Sequence, residues 1–170
     1  MKRREFIAAS AALAATSLLP ETPAWAKART LKLGLIGTGM RGQVLLEELV
    51  RRDDVQVVAL CDIEPIMLKR GLDMVAKAGK PAPTAYGQDG DVNAWMRLLE
   101  QRGLDGVIIA TPWEYHAPMA IAAMQAKVPV GCEVVAGITL QDHWDVLNTQ
   151  LQTGTPYMLL ENVCYRRDVM

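Results

Sequence analysis

Leu33-Gly34-Leu35-Ile36-Gly37-Thr38-Gly39-Met40-Arg41-Gly42 decides how the rest of this chain is read. An apolar run leads straight into G-x-G-x-x-G, with glycines at 37, 39 and 42. Each glycine has a separate job. Gly37 permits a tight turn off a strand, Gly39 lets the backbone approach a pyrophosphate, and Gly42 lets the next helix lie close to the sheet. Val44, Leu45, Leu46 and Leu49 then recur at helical spacing, which predicts a helix from about Gln43 to Val50. The N-terminus of such a helix favours an anion. A second apolar run, Val55 to Cys61, ends in Asp62, 20 residues after Gly42. That is where an acid that binds a ribose diol belongs. Three glycines alone would mean little; with a strand before, a helix after and an acid at this distance, they predict a dinucleotide site.

Strand and helix patterns alternate along the rest of the chain. Pro65 to Lys77 is an amphipathic helix, Thr84-Ala85-Tyr86 a short strand, and Asp91 a cap for a helix through Trp95 and Leu99. Asp105 to Ala110 is a continuous apolar strand of the kind buried in parallel sheets. Val128 to Cys132 is the next, ending in Glu133, and Pro156 to Asn162 is a sixth. Helices are expected from Ala117 to Ala126 and from Thr139 to Thr149. The second of these is read with Trp144, Val146 and Leu147 inward, Asp142 in its first turn and His143 solvated. This alternation predicts an α/β fold, a doubly wound parallel sheet of the Rossmann type. In such sheets ligands bind at the carboxyl ends of the strands. Thr111-Pro112-Trp113-Glu114-Tyr115-His116 leaves the fourth strand there, so this loop and Asp62 should converge on one crevice. One at a time, His116 reads equally as a core or capping histidine and Trp113 as a packing residue. Their clustering at a strand end favours the crevice.

Composition narrows the function. The net charge is −1, and no basic field offers itself to nucleic acid or to a membrane surface. Cys61, Cys132 and Cys164 lack metal-ligand spacing, and the first two end apolar strands, where cysteine acts as a small apolar residue. No metal site is expected.

Residues 1–26 read as a targeting segment. Arg3-Arg4 precedes Phe6-Ile7, an alanine-rich run follows, and Ala24-Trp25-Ala26 offers small residues for cleavage before Lys27. The pattern resembles a twin-arginine export signal, which implies a periplasmic or secreted protein. The run is too short and too alanine-rich for a stable membrane anchor, which needs about 20 strongly apolar residues. The expected organisation is therefore a signal peptide over 1–26, an NAD-binding Rossmann domain over 27–162, and the start of a linker or second domain over 163–170. The C-terminal α/β domain would be missing from this chain.

The glycine loop, Asp62, Ala110-Thr111-Pro112…His116 and the strand ending in Glu133 resemble the glucose–fructose oxidoreductase/inositol dehydrogenase (Gfo/Idh/MocA) superfamily. More narrowly, Gly39-Met40-Arg41-Gly42-Gln43, Thr111 to His116, Gly154-Thr155-Pro156-Tyr157 and Glu161 to Met170 look like glycoside hydrolase family 109, which are NAD-dependent α-N-acetylgalactosaminidases. The resemblance implies that Gly37, Gly39, Met40, Arg41 and Gly42 hold the pyrophosphate and Asp62 the adenosine ribose. It further implies that Thr111, Trp113, Glu114, Tyr115 and His116 line the NAD site, with Glu133, Val134 and Asn162 near the nicotinamide. Catalytic residues are expected in the second domain, with Tyr165 the one candidate within this chain.

The superfamily usually carries Glu-Lys-Pro at the fifth strand end, where Lys serves dehydrogenase chemistry; here the stretch is Glu133-Val134-Val135. That departure fits the glycosidase branch. The implied reaction is redox-assisted hydrolysis, in which NAD⁺ takes a hydride from C3 of the sugar, the aglycone is eliminated, water adds at C1 and the hydride returns. The expected partner is a glycoside such as an N-acetylgalactosaminide. Self-association would cover the apolar face meant for a second domain. A sugar or polyol dehydrogenase of the same superfamily and a non-catalytic NAD-binding module are the two alternatives.

Overall fold

The computed structural model of the chain describes residues 29–170, so the expected signal peptide lies outside the described residues. Six strands form one sheet: β1 (Leu31–Ile36), β2 (Val55–Cys61), β3 (Thr84–Tyr86), β4 (Gly106–Ile109), β5 (Val130–Cys132) and β6 (Tyr157–Leu159). Their order is β3-β2-β1-β4-β5-β6, and every pairing is parallel. The strand order reverses between β1 and β4, which opens a crevice at the carboxyl ends of the central strands.

Five α-helices make the crossovers: α1 (Met40–Val50), α2 (Pro65–Lys77), α3 (Ala94–Leu99), α4 (His116–Gln125) and α5 (Leu140–Thr153). Alternation along the strands, shifted by one residue in β2 between Val57 and Ala59, divides the core between two faces. Leu35, Val57 and Leu60 pack with Leu46 of α1 and with Leu68 and Val75 of α2. Ile36, Ala59, Cys61, Val107 and Ile109 turn to the other face, against Leu98 of α3 and Ala120, Ala123 and Met124 of α4. The doubly wound sheet expected from the sequence is the fold. Among the described residues no helix is long and apolar enough to cross a membrane.

Local chemistry sets the ends of the helices. Thr139 and Asp142 form a reciprocal capping box at the start of α5: Asp142 N–H donates to Thr139 Oγ1 at 3.1 Å, and Thr139 N–H to Asp142 Oδ2 at 2.8 Å. The Thr139 N–H, donating to the Asp142 carboxyl, is the chief cause that holds it below its ordinary range. The helix ends at Gly154, whose φ of 65° is left-handed.

Three expectations need correction. Helix α1 starts at Met40 rather than Gln43, because Gly39 is its extended N-cap. Asp91 accepts from Asn93 N–H at 2.9 Å in the turn before α3 and gives that helix no side-chain cap. In α5 Val146 is buried, whereas Trp144 and Leu147 are exposed. Residues two apart lie about 200° around a helix, so Trp144 and Val146 cannot share a face.

Candidate functional site

The glycine loop turns because Gly37 adopts a φ of 91°. It is pinned by its own N–H, which donates to Cys61 O at 2.8 Å, and by Ala110 N–H donating to Ile36 O at 2.8 Å. A Cβ at Gly42 would overlap the Gly37 carbonyl, so glycine is needed there to start α1 hard against the loop. Gly39 differs: a Cβ there would meet no protein atom within 4 Å, because the residue faces open space. The first turn of α1 has no side-chain cap and no acid, which leaves its N–H groups for an outside anion.

Asp62 stands just past the end of β2, and its carboxylate is oriented by three donors. Thr38 N–H and Thr38 Oγ1 reach Oδ2 at 2.6 and 2.9 Å, and Glu64 N–H reaches Oδ1 at 2.9 Å. Thr38 itself is fully buried. Two carboxylate oxygens carry about four lone-pair sites, so one site remains, on Oδ1, for a ribose hydroxyl. Beside it, burial pushes the Cys61 thiol up to about 12, with the Asp62 charge adding to the shift. That thiol is no nucleophile at neutral pH.

A cavity of about 410 Å³ opens over the carboxyl ends of β1, β2 and β4. Of the residues singled out from the sequence, Gly37, Gly39, Met40, Arg41, Asp62, Thr111 and Tyr115 line it. Gly42 sits behind the loop. Trp113 and Glu114, in the 3-10 helix Trp113–Tyr115, are exposed and outside the lining.

His116 is 1% exposed and does not reach the cavity. Its Nδ1 lies 2.6 Å from Val135 O and its Nε2 2.8 Å from Thr111 O, so the ring ties the loop after β4 to the loop after β5. Glu133, 5% exposed, also lies outside the lining, but its Oε1 accepts from Arg41 Nε at 2.7 Å. Val134 is half-buried beside it. Asn162 is exposed and opens the 3-10 helix Asn162–Tyr165 after β6.

Sequence reading missed Thr38, taken as the spacer between two glycines. It also missed the apolar wall of Ile63, Met67, Val92 and Trp95 beside Asp62. A spacer Thr that can reach an acid at the next strand end was the one available signal.

An uncapped helix start, an open glycine and an oriented acid beside an apolar wall fit a dinucleotide. Together with the strand order they define a Rossmann dinucleotide-binding domain. Residues 31–158 match the model of the GFO_IDH_MocA oxidoreductase family, NAD-binding Rossmann fold, and the chain belongs to that family.

Over all 170 residues the chain is 84% identical to a glycosyl hydrolase family 109 protein of Stenotrophomonas maltophilia (strain K279a), covering 37% of that protein. It is 44% identical over 141 residues to an alpha-N-acetylgalactosaminidase of Tannerella forsythia, covering 82% of this chain and 30% of the relative. The chain thus spans about a third of the length of these curated relatives. Among solved structures, an NAD binding oxidoreductase from Klebsiella pneumoniae superposes with a TM-score of 0.66 at 27% identity, over 82% of this chain and 36% of that one.

Proposed function

We propose that this chain is the cofactor-binding part of an exported glycosidase that removes terminal α-N-acetylgalactosamine. The observation that carries the reading is the 44% identity to a relative named for that activity. Val134 supports it, because it stands where the superfamily's dehydrogenases place a lysine. When bound, NAD would supply a hydride acceptor and donor for the sugar. In this reading the chain's own residues bind and orient. The α1 N-terminus and the Gly39 backbone would receive the diphosphate, Asp62 would accept from a ribose hydroxyl, and the apolar Ile63 and Val92 would serve the adenine end. General acid–base groups must sit within hydrogen-bond reach of the sugar. This reading places them in a second domain beyond Met170, with Tyr165 the candidate on this side.

The test is release of nitrophenol from nitrophenyl α-N-acetylgalactosaminide by the extended reading frame, with this chain run alongside. Turnover by the extended protein and none by this chain is the expected result. The likeness to an NAD binding oxidoreductase favours a second reading, a sugar dehydrogenase. An inactive extended protein that forms NADH from free sugars would select it. Export is part of the proposal: replacing Arg3-Arg4 by Lys-Lys should leave the protein uncleaved in the cytoplasm, and a processed periplasmic product would refute the twin-arginine route.

A further inference from the structure

Arg41 is the one basic side chain among the described residues that line the cavity, which also carries Asp62 and Glu64. A cofactor with a 2′-phosphate needs a cation at the Asp62 end, where the adenosine ribose would lie. Of the lining residues only Arg41 could supply it, yet its guanidinium is engaged elsewhere; Arg97, which acts on Cys61 beside Asp62, is paired with Asp89 and Asp91. Nε donates to Glu133 Oε1 at 2.7 Å; the Arg41 side chain is 42% exposed and that of Glu133 only 7%.

Glu133 follows β5 and Asp62 follows β2, with β1 and β4 between them in the sheet. Three strand spacings put the two acids about 14 Å apart across the crevice. Swinging Arg41 to the ribose end would break a charge-assisted bond and leave a buried carboxylate without its partner. Nη1 and Nη2 have no protein acceptor among the described residues, so both stay available to a ligand in the cavity that Arg41 lines.

We propose that Glu133 sets the cofactor preference of this crevice by holding Arg41 on the β5 side, away from the Asp62 end where a 2′-phosphate would need it. Glu133 is thus a positioning residue that discriminates against NADP without touching the adenosine. Asp62 repels the 2′-phosphate, and Glu133 withholds the cation that would offset this repulsion. The proposal rests on the reading of the crevice as an NAD site.

The test is calorimetric titration of NAD and of NADP into the full chain as wild type, Glu133→Gln, Arg41→Ala and the double variant, with a melting curve for each. Wild type should prefer NAD at least tenfold. Glu133→Gln should narrow that preference fivefold or more by tightening NADP, and adding Arg41→Ala should restore it. Arg41→Ala alone should weaken both nucleotides equally. A Glu133→Gln protein that melts normally with its preference within twofold of wild type overturns the proposal. So does a selective loss of NADP binding in Arg41→Ala, which decides the matter even where Glu133→Gln fails to fold. Wild type binding neither nucleotide removes the NAD reading and this proposal with it. NAD binding with an unmoved preference removes the proposal alone.

Discussion

Both donors of Thr38, its N–H and its hydroxyl, converge on one oxygen of Asp62, at 2.6 and 2.9 Å. The glycine loop and the acid at the next strand end are therefore one hydrogen-bonded unit rather than two neighbouring motifs. Thr38→Val keeps the buried shape and removes the hydroxyl. The variant should lose about 1.5–3 kcal/mol of stability in urea, the scale of one bond to a charged group. NAD affinity should fall severalfold, because Asp62 loses part of its orientation. Unchanged stability and affinity would mean that the backbone N–H alone holds the carboxylate.

Gly42 and Gly39 should respond in opposite ways to the same added methyl. At Gly42 a Cβ runs into the Gly37 carbonyl, and backbone cannot move aside cheaply. Gly42→Ala should cost more than about 2 kcal/mol, in the range of overpacking strain. Gly39 has an extended N-cap conformation with φ of −64° and open space beside it. Gly39→Ala should melt within a degree or two of wild type. Equal melting losses would contradict the loop geometry.

Much of this fold was legible because its signals are local. The glycine loop, the acid 20 residues on and the apolar runs around them all lie within one βαβ unit. What stayed hidden depends on contacts between distant units. Arg41 and Glu133 are 92 positions apart, and no periodicity relates them. His116 looked like a crevice residue because it ends a loop that does reach the crevice. The helix α4 it begins turns its ring inward, between two backbone carbonyls. Trp144 and Leu147 are expected inward with Val146, although the spacing of Trp144 from Val146 already places those two on different faces of α5.

His116→Phe tests that inward role. An aromatic ring one atom larger is kept, while Thr111 O and Val135 O lose their polar partner. The expected cost is about 1–3 kcal/mol for buried groups left unsatisfied, with faster proteolysis of the loop around Trp113. A variant as stable as wild type, with NAD binding selectively lost, would instead put His116 in contact with the cofactor.

Alkaline pH should weaken the fold through its buried thiols. Burial pushes Cys61 and Cys132 up to about 12 from an ordinary value of 9.0. Burial also raises the Tyr157 hydroxyl. Between about 9 and 12 the unfolded chain gives up thiol protons that the folded chain keeps, so the unfolded state binds fewer protons and stability falls as pH rises. Below 9 both states hold these protons and the contribution is flat. Urea midpoints from pH 8 to 11 should fall more steeply for wild type than for Cys61→Ala with Cys132→Ala. Parallel slopes would contradict the assignment.

Calorimetric titration of NAD into wild type and Gly39→Ala asks whether the crevice between the glycine loop and Asp62 binds NAD. Gly39 faces the cavity and touches no protein atom that a Cβ would disturb, so its methyl reads the ligand and not the fold. The expected result is saturable binding of one NAD per chain in the wild type and at least a tenfold loss in a Gly39→Ala protein that melts normally. Equal affinity in both proteins, or no binding by a folded wild type, would contradict it.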